Sequence, residues 1–169
     1  VDTRKPELMR EAIAAGAAMV NDVTALTAPG ALKAVANTPV AVCLMHMQGD
    51  PGTMQVNPGY ADVVREVRDY LVQRVAAAET AGIARDRIVV DPGFGFGKTL
   101  GHNLALLRSL AEFRSLGVAL MAGLSRKAML GQLTGREPQD RVHASIAAAL
   151  LAVQNGAQIV RVHDVAATR

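Results

Sequence analysis

The sequence has no tryptophan, 3% aromatic residues and one cysteine, and these scarcities limit what the protein can be. A single cysteine forms no intrachain disulfide, which fits a reducing compartment, so we expect a cytoplasmic protein. Because Cys43 lies in the apolar run at 40–45, we interpret it as a buried thiol rather than a nucleophile. No signal-like segment precedes the first helix and no apolar run is long enough to cross a bilayer, so we expect no membrane partner.

The formal net charge of +3 is weak and dispersed along the chain. Such a charge does not indicate a nucleic-acid partner, although it suits a small anionic substrate. Half of the 169 residues are hydrophobic, which suffices for a sizeable core. The composition therefore favours a globular protein that acts on small molecules.

Strand-like and helix-like segments alternate along the whole chain. The predicted strands lie at 18–23, 40–45, 88–91, 118–124 and 158–163, and the predicted helices lie at 6–15, 28–36, 60–81, 103–115 and 140–155. Such alternation predicts βαβ crossovers and a parallel sheet. No linker or short repeat interrupts the pattern, so we interpret residues 1–169 as one domain.

The first residues, Val1-Asp2-Thr3, directly precede a proline-initiated helix, and we interpret them as the last turn of a further strand. A (β/α)₈ barrel typically has eight strands and about 250 residues. We therefore predict an α/β fold that is a partial (β/α)₈ TIM barrel, from the end of strand 3 through strand 8. The domain would be incomplete at both ends, with no helix after its last strand.

The segment 88–98 indicates a functional site, because a buried strand ends in Asp91 and a glycine-rich loop follows. Pro92 cannot donate to a sheet ladder, so Asp91 lies at the carboxyl end of the strand, where α/β enzymes bind ligands. The Gly97-Lys98 pair imitates a nucleotide loop, but the glycine spacing fits neither ATP nor NAD motifs. A plain turn capped by Asp91 is the alternative.

Polar residues follow every predicted strand: Asp2, Asn21 with Asp22, His46, Asp91, Ser125 with Arg126 and Lys127, and Arg161 with His163. Arg161 and His163 share a strand face and would clamp an anion such as phosphate, unless core acids such as Asp164 pair with them. Asp2, Asn21 and Asp91 supply the acceptors and the amide that a flat heterocycle with N–H donors requires. A buried structural network is the alternative.

Five stretches in this order resemble dihydropteroate synthase, the sulfonamide target of bacterial folate biosynthesis: Asn-Asp at 21–22, CLMHMQG at 43–49, DPGFGFGK at 91–98, GLSRK at 123–127 and RVHD at 161–164. The resemblance covers the whole chain. It implies a TIM-barrel transferase, usually a homodimer through its later helices. Such an enzyme condenses 6-hydroxymethyl-7,8-dihydropterin diphosphate with 4-aminobenzoate to give 7,8-dihydropteroate, and it releases diphosphate.

The resemblance also implies a role for each matching residue. Pterin would be bound by Asp2, Asn21, Met45, Asp91 and Lys127. Aminobenzoate would be bound by Phe96, Ser125 and Lys127, and the diphosphate by Arg161, His163 and Arg126. The implied catalytic residues are Asp91, Lys127 and Asp2.

The family's first strand and two mobile loops that close over aminobenzoate have no counterpart in this sequence. The resemblance implies Mg²⁺ with its main protein contact in that region, so we assign no metal ligand within residues 1–169 and expect the chain alone to be inactive. Two other functions stay open. One is the pterin-binding or folate-binding domain of a corrinoid-dependent methyltransferase, which needs no diphosphate clamp, and the other is a non-catalytic pterin-binding remnant.

Overall fold

Strands and helices alternate in the computed structural model, which describes residues 1–169. The strands are β1 (Met19–Asp22), β2 (Ala41–Met45), β3 (Ile88–Asp91), β4 (Ala119–Ala122) and β5 (Ile159–Val160). The helices are α1 (Pro6–Ala14), α2 (Ala31–Val35), α3 (Val63–Thr80), α4 (Leu100–Arg108), α5 (Ala128–Thr134), α6 (Val142–Gln154) and α7 (Val165–Thr168). No helix combines the length and apolarity needed to cross a membrane.

The five strands form one parallel sheet in the consecutive order β1-β2-β3-β4-β5. Because crossovers between parallel strands are right-handed, a consecutive order places every helix on the same face of the sheet. A parallel sheet covered by helices on one face alone curves around its other face, as in a TIM barrel. The predicted partial barrel is confirmed, and the five strands form a half-barrel.

Alternate strand residues divide the sheet into a helix-covered face and an interior face. On the helix side, Val20, Val42 and Val90 join a core of 32 buried residues. On the interior side, Cys43, Val89 and Met121 form a separate buried cluster. A side chain at the carboxyl end of a strand therefore points either to the helices or to the barrel interior according to its position in this alternation.

The predicted extra strand at the start of the chain is confirmed as a short pairing. Asp2 forms an isolated parallel bridge with Asn21. The N–H of Thr3 donates to the carbonyl of Asn21 at 3.0 Å, and the N–H of Asn21 donates to the carbonyl of Val1 at 2.8 Å. Asp2 is thereby held beside the carboxyl end of β1.

Three details of the predicted helices were wrong. The segment 103–115 is not one helix, because α4 begins earlier, at a capping box formed by Thr99 and His102, and a 3₁₀ segment, Leu110–Leu116, follows it. Helix α5 was not predicted, because its seven residues include Gly131 and are too few to show a clear period. The last strand is followed by the four-residue helix α7.

Asp22, which ends β1, belongs to the helix side of the sheet and is fully buried. Its Oδ1 accepts hydrogen bonds from the N–H of Thr24 at 2.8 Å and from the Thr24 hydroxyl at 2.7 Å. Its Oδ2 accepts from the N–H of Leu26 at 3.0 Å. Asp22 therefore shapes the loop after β1 and does not join the interior residues.

Candidate active site at the carboxyl ends of the strands

The interior face of the half-barrel ends in polar side chains at the carboxyl edge of the sheet. Asn21 is the penultimate residue of β1 and Asp91 ends β3, and both point to the same side of the sheet as the interior residue Cys43. Met45 pairs in register with Asp91 and is 1% exposed. Together with Arg161, which follows β5, these residues form what we call the strand-end cluster: Asn21, Met45, Asp91 and Arg161.

Asp91 is the buried carboxylate of this cluster, with 3% of its surface exposed. Its Oδ1 accepts a hydrogen bond from the N–H of Gly93 at 2.7 Å, whereas no protein donor contacts its Oδ2. Burial raises the pKa of Asp91, and the Gly93 hydrogen bond and the charges of Lys127 and Arg161 oppose the rise. A Cβ on Gly123 would lie 3.7 Å from Oδ2 of Asp91 and 3.6 Å from Nη2 of Arg161, so glycine leaves space between carboxylate and guanidinium.

Asn21 presents a buried acceptor that the protein leaves unused. Its Nδ2 donates to Oδ2 of Asp2 at 2.9 Å, and Nη1 of Arg161 donates to the same oxygen at 3.4 Å. Oδ1 of Asn21 is buried and has no hydrogen-bond partner. An unsatisfied buried acceptor costs about 1–3 kcal/mol, so a ligand N–H that reached Oδ1 would remove that cost.

Lys127 contacts the aromatic ring of Phe96, and the negative charge of Asp91 acts on its ammonium group. Its Nζ lies 4.2 Å from the centroid of the Phe96 ring, in cation–π geometry. Burial lowers the pKa of Lys127, and the charge of Asp91 opposes this effect. A Cβ on Gly95 would lie 3.4 Å from Cδ of Lys127, so the turn that carries Phe96 packs closely on the lysine stem.

A cavity of about 670 Å³ opens beside the strand-end cluster. Three cationic side chains line it, Arg126, Lys127 and Arg161, together with Ser125, His163, Gly123, Ala128, Pro138 and Val162. Ser125 joins the two loops that form this wall. Its Oγ accepts from the N–H of His163 at 3.2 Å and lies 3.0 Å from Nδ1 of the same residue. The concentration of donors makes the cavity suitable for an anion.

Arg126 lines this cavity but already has a carboxylate partner. Its Nε and Nη2 bind the two carboxylate oxygens of Asp164 at 3.0 and 2.5 Å. Arg126 also has a positive φ of 57°, and its N–H donates to Oγ of Ser145 at 2.9 Å. Asp164 therefore pairs with Arg126, and not with Arg161 as the alternative interpretation of the sequence suggested.

The structure brings ten of the sequence-predicted side chains to one edge of the sheet: Asp2, Asn21, Met45, Phe96, Asp91, Ser125, Arg126, Lys127, Arg161 and His163. His46, like Asp22, is a strand-end residue that turns away from them. Its ring lies edge-on to Tyr70, with the centroids 5.0 Å apart. The individual roles that the sequence suggests for these residues stay predictions.

Sequence reasoning missed the partnership between Lys98 and His46. Nζ of Lys98 lies 3.0 Å from Nδ1 of His46, and both residues are buried. Burial lowers the pKa of Lys98 to about 7 and, together with the charge of Lys98, lowers the pKa of His46 to about 3. The only signal in the sequence was a lysine directly after the glycine-rich loop, and glycine spacing alone does not show where its side chain lies.

The buried His46 should make the protein less stable in acid. Its pKa is about 3 in the folded state and an ordinary 6.5 in the unfolded chain, so between these values the unfolded chain binds more protons. The free energy of unfolding should therefore decrease as the pH is lowered, by up to about 1.4 kcal/mol per pH unit. Denaturant titrations from about pH 7 to about pH 5 should show a shallower fall for His46→Gln than for the unaltered protein.

His143 provides the matched control for this measurement, because it is an exposed histidine on α6. The His143→Gln variant should keep the slope of the unaltered protein. Equal slopes in all three proteins would show that His46 is not the group that titrates.

The acidic side chains do not form a metal site on their own. No group of three or more His, Cys, Asp or Glu residues is arranged to hold a metal ion. Two carboxylates contact the cationic cavity, but Asp164 is bound to Arg126, and Oδ2 of Asp2 already accepts from Asn21 and Arg161. The residues of this chain thus do not fit a Mg²⁺ site.

The half-barrel brings unused buried acceptors and a cationic cavity to the carboxyl ends of its strands, where enzymes of the (β/α)₈ class bind their ligands. Comparison with known proteins identifies the family. A family described as pterin binding enzyme matches residues 1–163, and the chain belongs to this family.

Dihydropteroate synthase of Escherichia coli strain K12 is 51% identical over 168 residues, which are 99% of this chain and 60% of that protein. The crystal structure of dihydropteroate synthase from Stenotrophomonas maltophilia is 61% identical with a TM-score of 0.96, over 99% of this chain and 63% of that one. The Xanthomonas albilineans enzyme in complex with 7,8-dihydropteroate is 57% identical with a TM-score of 0.93, over 99% and 62% of the two chains. This chain thus spans about 60% of the length of the curated relatives it matches.

Proposed function

We propose that the protein formed by this chain is a dihydropteroate synthase, which joins 6-hydroxymethyl-7,8-dihydropterin diphosphate to 4-aminobenzoate and releases diphosphate. The observation that carries the proposal is the set of groups that the site brings together. Buried acceptors lie at Asn21 and Asp91, an ammonium faces an aromatic ring at Lys127, and a cationic cavity follows at Arg161. These three regions correspond to a heterocycle, an aromatic amine and a diphosphate.

The acceptors of the strand-end cluster support pterin binding. A pterin carries ring N–H and amino donors, and Oδ2 of Asp91 and Oδ1 of Asn21 have no donor from the protein. Asp2 adds a second carboxylate, and the apolar side chain of Met45 offers a surface for the ring. A carboxylate that accepts from a neutral N–H forms a charge-assisted bond, which makes Asp91 the main anchor of the ring.

The Lys127 and Phe96 pair supports aminobenzoate binding. Phe96 is half-buried and can pack on the benzoate ring, while Lys127 can donate to the pterin. Ser125 lies in the wall of the cationic cavity, where its hydroxyl can bind the aminobenzoate carboxylate. Sulfonamides also carry an aniline ring, so they would occupy the same place.

The proposed reaction forms a bond between the aminobenzoate nitrogen and the methylene carbon of the pterin substrate, and it breaks the bond from that carbon to the diphosphate oxygen. The electron-rich pterin stabilises the cation that forms at the methylene group, and Asp91 and Asp2 add negative charge. Arg161 and His163 would stabilise the departing diphosphate. The amine loses a proton to solvent after attack, so the main contributions of the protein are positioning and charge.

The test is diphosphate release by the complete protein that depends on 4-aminobenzoate. A synthase should release one diphosphate for each dihydropteroate formed, and no release without the amine is expected. Tight binding of a methyl-folate with no preference for a diphosphate would instead indicate a corrinoid-dependent methyltransferase. The 169-residue chain alone is a second arm, and it should be inactive because its five-stranded sheet is not closed into a barrel and leaves an unpaired edge on β5.

Arg161→Ala should weaken the binding of the pterin diphosphate by about 10-fold to 100-fold and leave the binding of the free pterin alcohol nearly unchanged. The reason is that the guanidinium group of Arg161 lines the cationic cavity. Calorimetry with both ligands measures the difference.

Arg126→Ala is the comparison variant, because its guanidinium is bound to Asp164 and it should lose less diphosphate affinity than Arg161→Ala. Equal losses for the two pterin ligands in Arg161→Ala would refute the anion clamp.

We further propose that the protein is a cytoplasmic homodimer and that Mg²⁺ accompanies the diphosphate. A second copy of the chain is the proposed partner of α6, whose exposed face carries Leu150, 58% exposed, and Val153, 51% exposed. Sedimentation of the complete protein tests the dimer. Calorimetry of diphosphate binding with and without Mg²⁺ tests the metal, for which residues 1–169 offer no cluster of acidic ligands.

A further inference from the structure

Lys98 is an enclosed cation that contacts no carboxylate. It is 3% exposed, and no oxygen of Asp or Glu lies within the 4.0 Å of a salt bridge from its Nζ. Burial of an ammonium without a counter-ion is costly, so other groups must compensate. The interactions of Nζ therefore show what the residue does.

The three N–H donors of the ammonium are all used. Nζ donates to the carbonyls of Gly93 and Phe96, each at 2.9 Å, and lies 3.0 Å from Nδ1 of His46. When Lys98 is protonated it can only donate, so Nδ1 of His46 is the acceptor of the third bond in that state. The carbonyl of His46 lies farther away, at 3.5 Å.

These contacts contribute to holding the turn at 93–97, together with Oδ1 of Asn103, which accepts from the N–H of Gly95 at 2.8 Å, and the hydroxyl of Tyr60, which donates to the carbonyl of Gly97 at 2.8 Å. Gly93, Gly95 and Gly97 have positive φ values of 71°, 83° and 64°, so glycine at each of them tolerates the tight path of the chain. One backbone bond, from the N–H of Phe96 to the carbonyl of Gly93 at 3.1 Å, closes the turn. Lys98 adds two bonds to carbonyls of this turn.

The same turn carries two groups of the proposed site. Phe96 faces Nζ of Lys127 at 4.2 Å, and the N–H of Gly93 donates to Asp91 at 2.7 Å. Lys98 binds the carbonyls of Phe96 and Gly93, so it contacts the backbone of both residues.

We propose that Lys98 is a positioning residue, which fixes the 93–97 turn and thereby sets the place of the Phe96 ring in the aminobenzoate pocket. The assignment of that pocket rests on the function proposed above. Lys98 does not touch substrate in this arrangement. Its effect should fall mainly on aminobenzoate, because Asp91 is placed by the pairing of β3 with β2, and Asn21 and Asp2 by their own strand pairing, whereas Phe96 lies within the turn itself.

The test uses Lys98→Met in the complete protein, because methionine keeps an unbranched stem and removes the charge and all donors. Backbone hydrogen exchange of segment 93–98 should become at least about 10-fold faster, and the KM for 4-aminobenzoate should rise by at least about 10-fold. The KM for the pterin diphosphate should change by less than about threefold. Lys33→Met, at an exposed site on α2, is the control and should change none of the three.

Lys98→Gln is the second variant, because its amide can still donate to one or both carbonyls and it should fold if Lys98→Met does not. It should show the same pattern with smaller changes. Faster exchange with an unchanged KM for 4-aminobenzoate would support the role in the turn and contradict the placement of the Phe96 ring in the aminobenzoate pocket, whereas absence of aminobenzoate-dependent turnover in the unaltered complete protein would contradict the proposed function. Unchanged exchange in segment 93–98 of a folded Lys98 variant would overturn the positioning role, whatever the activity.

Discussion

Asp91→Asn should weaken pterin binding by roughly 10-fold to 100-fold while it changes the free energy of unfolding little. Asparagine can still accept the Gly93 hydrogen bond through its Oδ1, so the turn keeps its support. Its amide nitrogen, however, would present N–H donors where Oδ2 faces the ligand space beside Gly123. The amide N–H groups of the asparagine would face the N–H donors of the pterin, and two donors repel each other where the carboxylate of Asp91 accepts. Calorimetry with a pterin and denaturant unfolding measure the two quantities.

Asp22→Asn is the matched comparison, because Asp22 ends β1 as Asp91 ends β3 but lies on the helix side of the sheet. The Asp22 carboxylate accepts three hydrogen bonds from Thr24 and Leu26, and an amide would replace one acceptor by a donor. We expect a loss of about 1–3 kcal/mol in the free energy of unfolding and unchanged pterin affinity of the folded protein. A loss of pterin affinity in Asp22→Asn together with a loss of stability in Asp91→Asn would show that the helix-covered and interior faces of the sheet have been assigned wrongly.

Gly93→Ala should destabilise the protein by about 4 kcal/mol or more, which is near the upper limit for one substitution. The residue has a φ of 71°, and a Cβ there would lie 1.9 Å from the carbonyl oxygen of His46. A backbone atom cannot move aside as a flexible side chain can, so the loops after β2 and β3 would have to separate. The free energy of unfolding from denaturant titration is the measurement.

Gly135→Ala separates the two causes of this loss. Gly135 has a similar φ of 68°, but a Cβ there would meet nothing within 4 Å. Its substitution should cost only the strain of a left-handed alanine, about 1–2 kcal/mol. If both variants lost the same amount, the close approach of Gly93 to His46 would not contribute to stability.

The convergence of the strand-end residues could be predicted from the sequence because strands have a fixed alternation and parallel strands end at one edge. Asn21, Asp91 and Arg161 illustrate this, since a run of apolar residues locates each strand and its last residues follow. The fold class came from the same signal. The same alternation separates Asp22 from Asn21, because neighbouring residues point to opposite faces: Asn21 is a candidate ligand group and Asp22 is a structural carboxylate.

The contacts between loops could not be predicted in this way. Arg126 and Asp164 are 38 residues apart, and their pairing depends on a backbone with positive φ at Arg126. Lys98 and His46 are 52 residues apart, and they meet because three glycines turn one loop toward another. Such pairs depend on how loops fold over the sheet, which no local pattern specifies.

Cys43 lies on the interior face of β2, in register with Asn21 on one side and Val89 on the other, and no part of it is exposed. It is the only thiol in the sequence, and burial raises its pKa, so reagents that attack thiolates meet an inert group in the intact barrel. Alkylation then requires the strands to part. The rate of thiol labelling therefore reports how often the barrel interior opens, without an engineered probe. A ligand that binds above Cys43 stabilises the closed state by mass action, so it should slow the labelling.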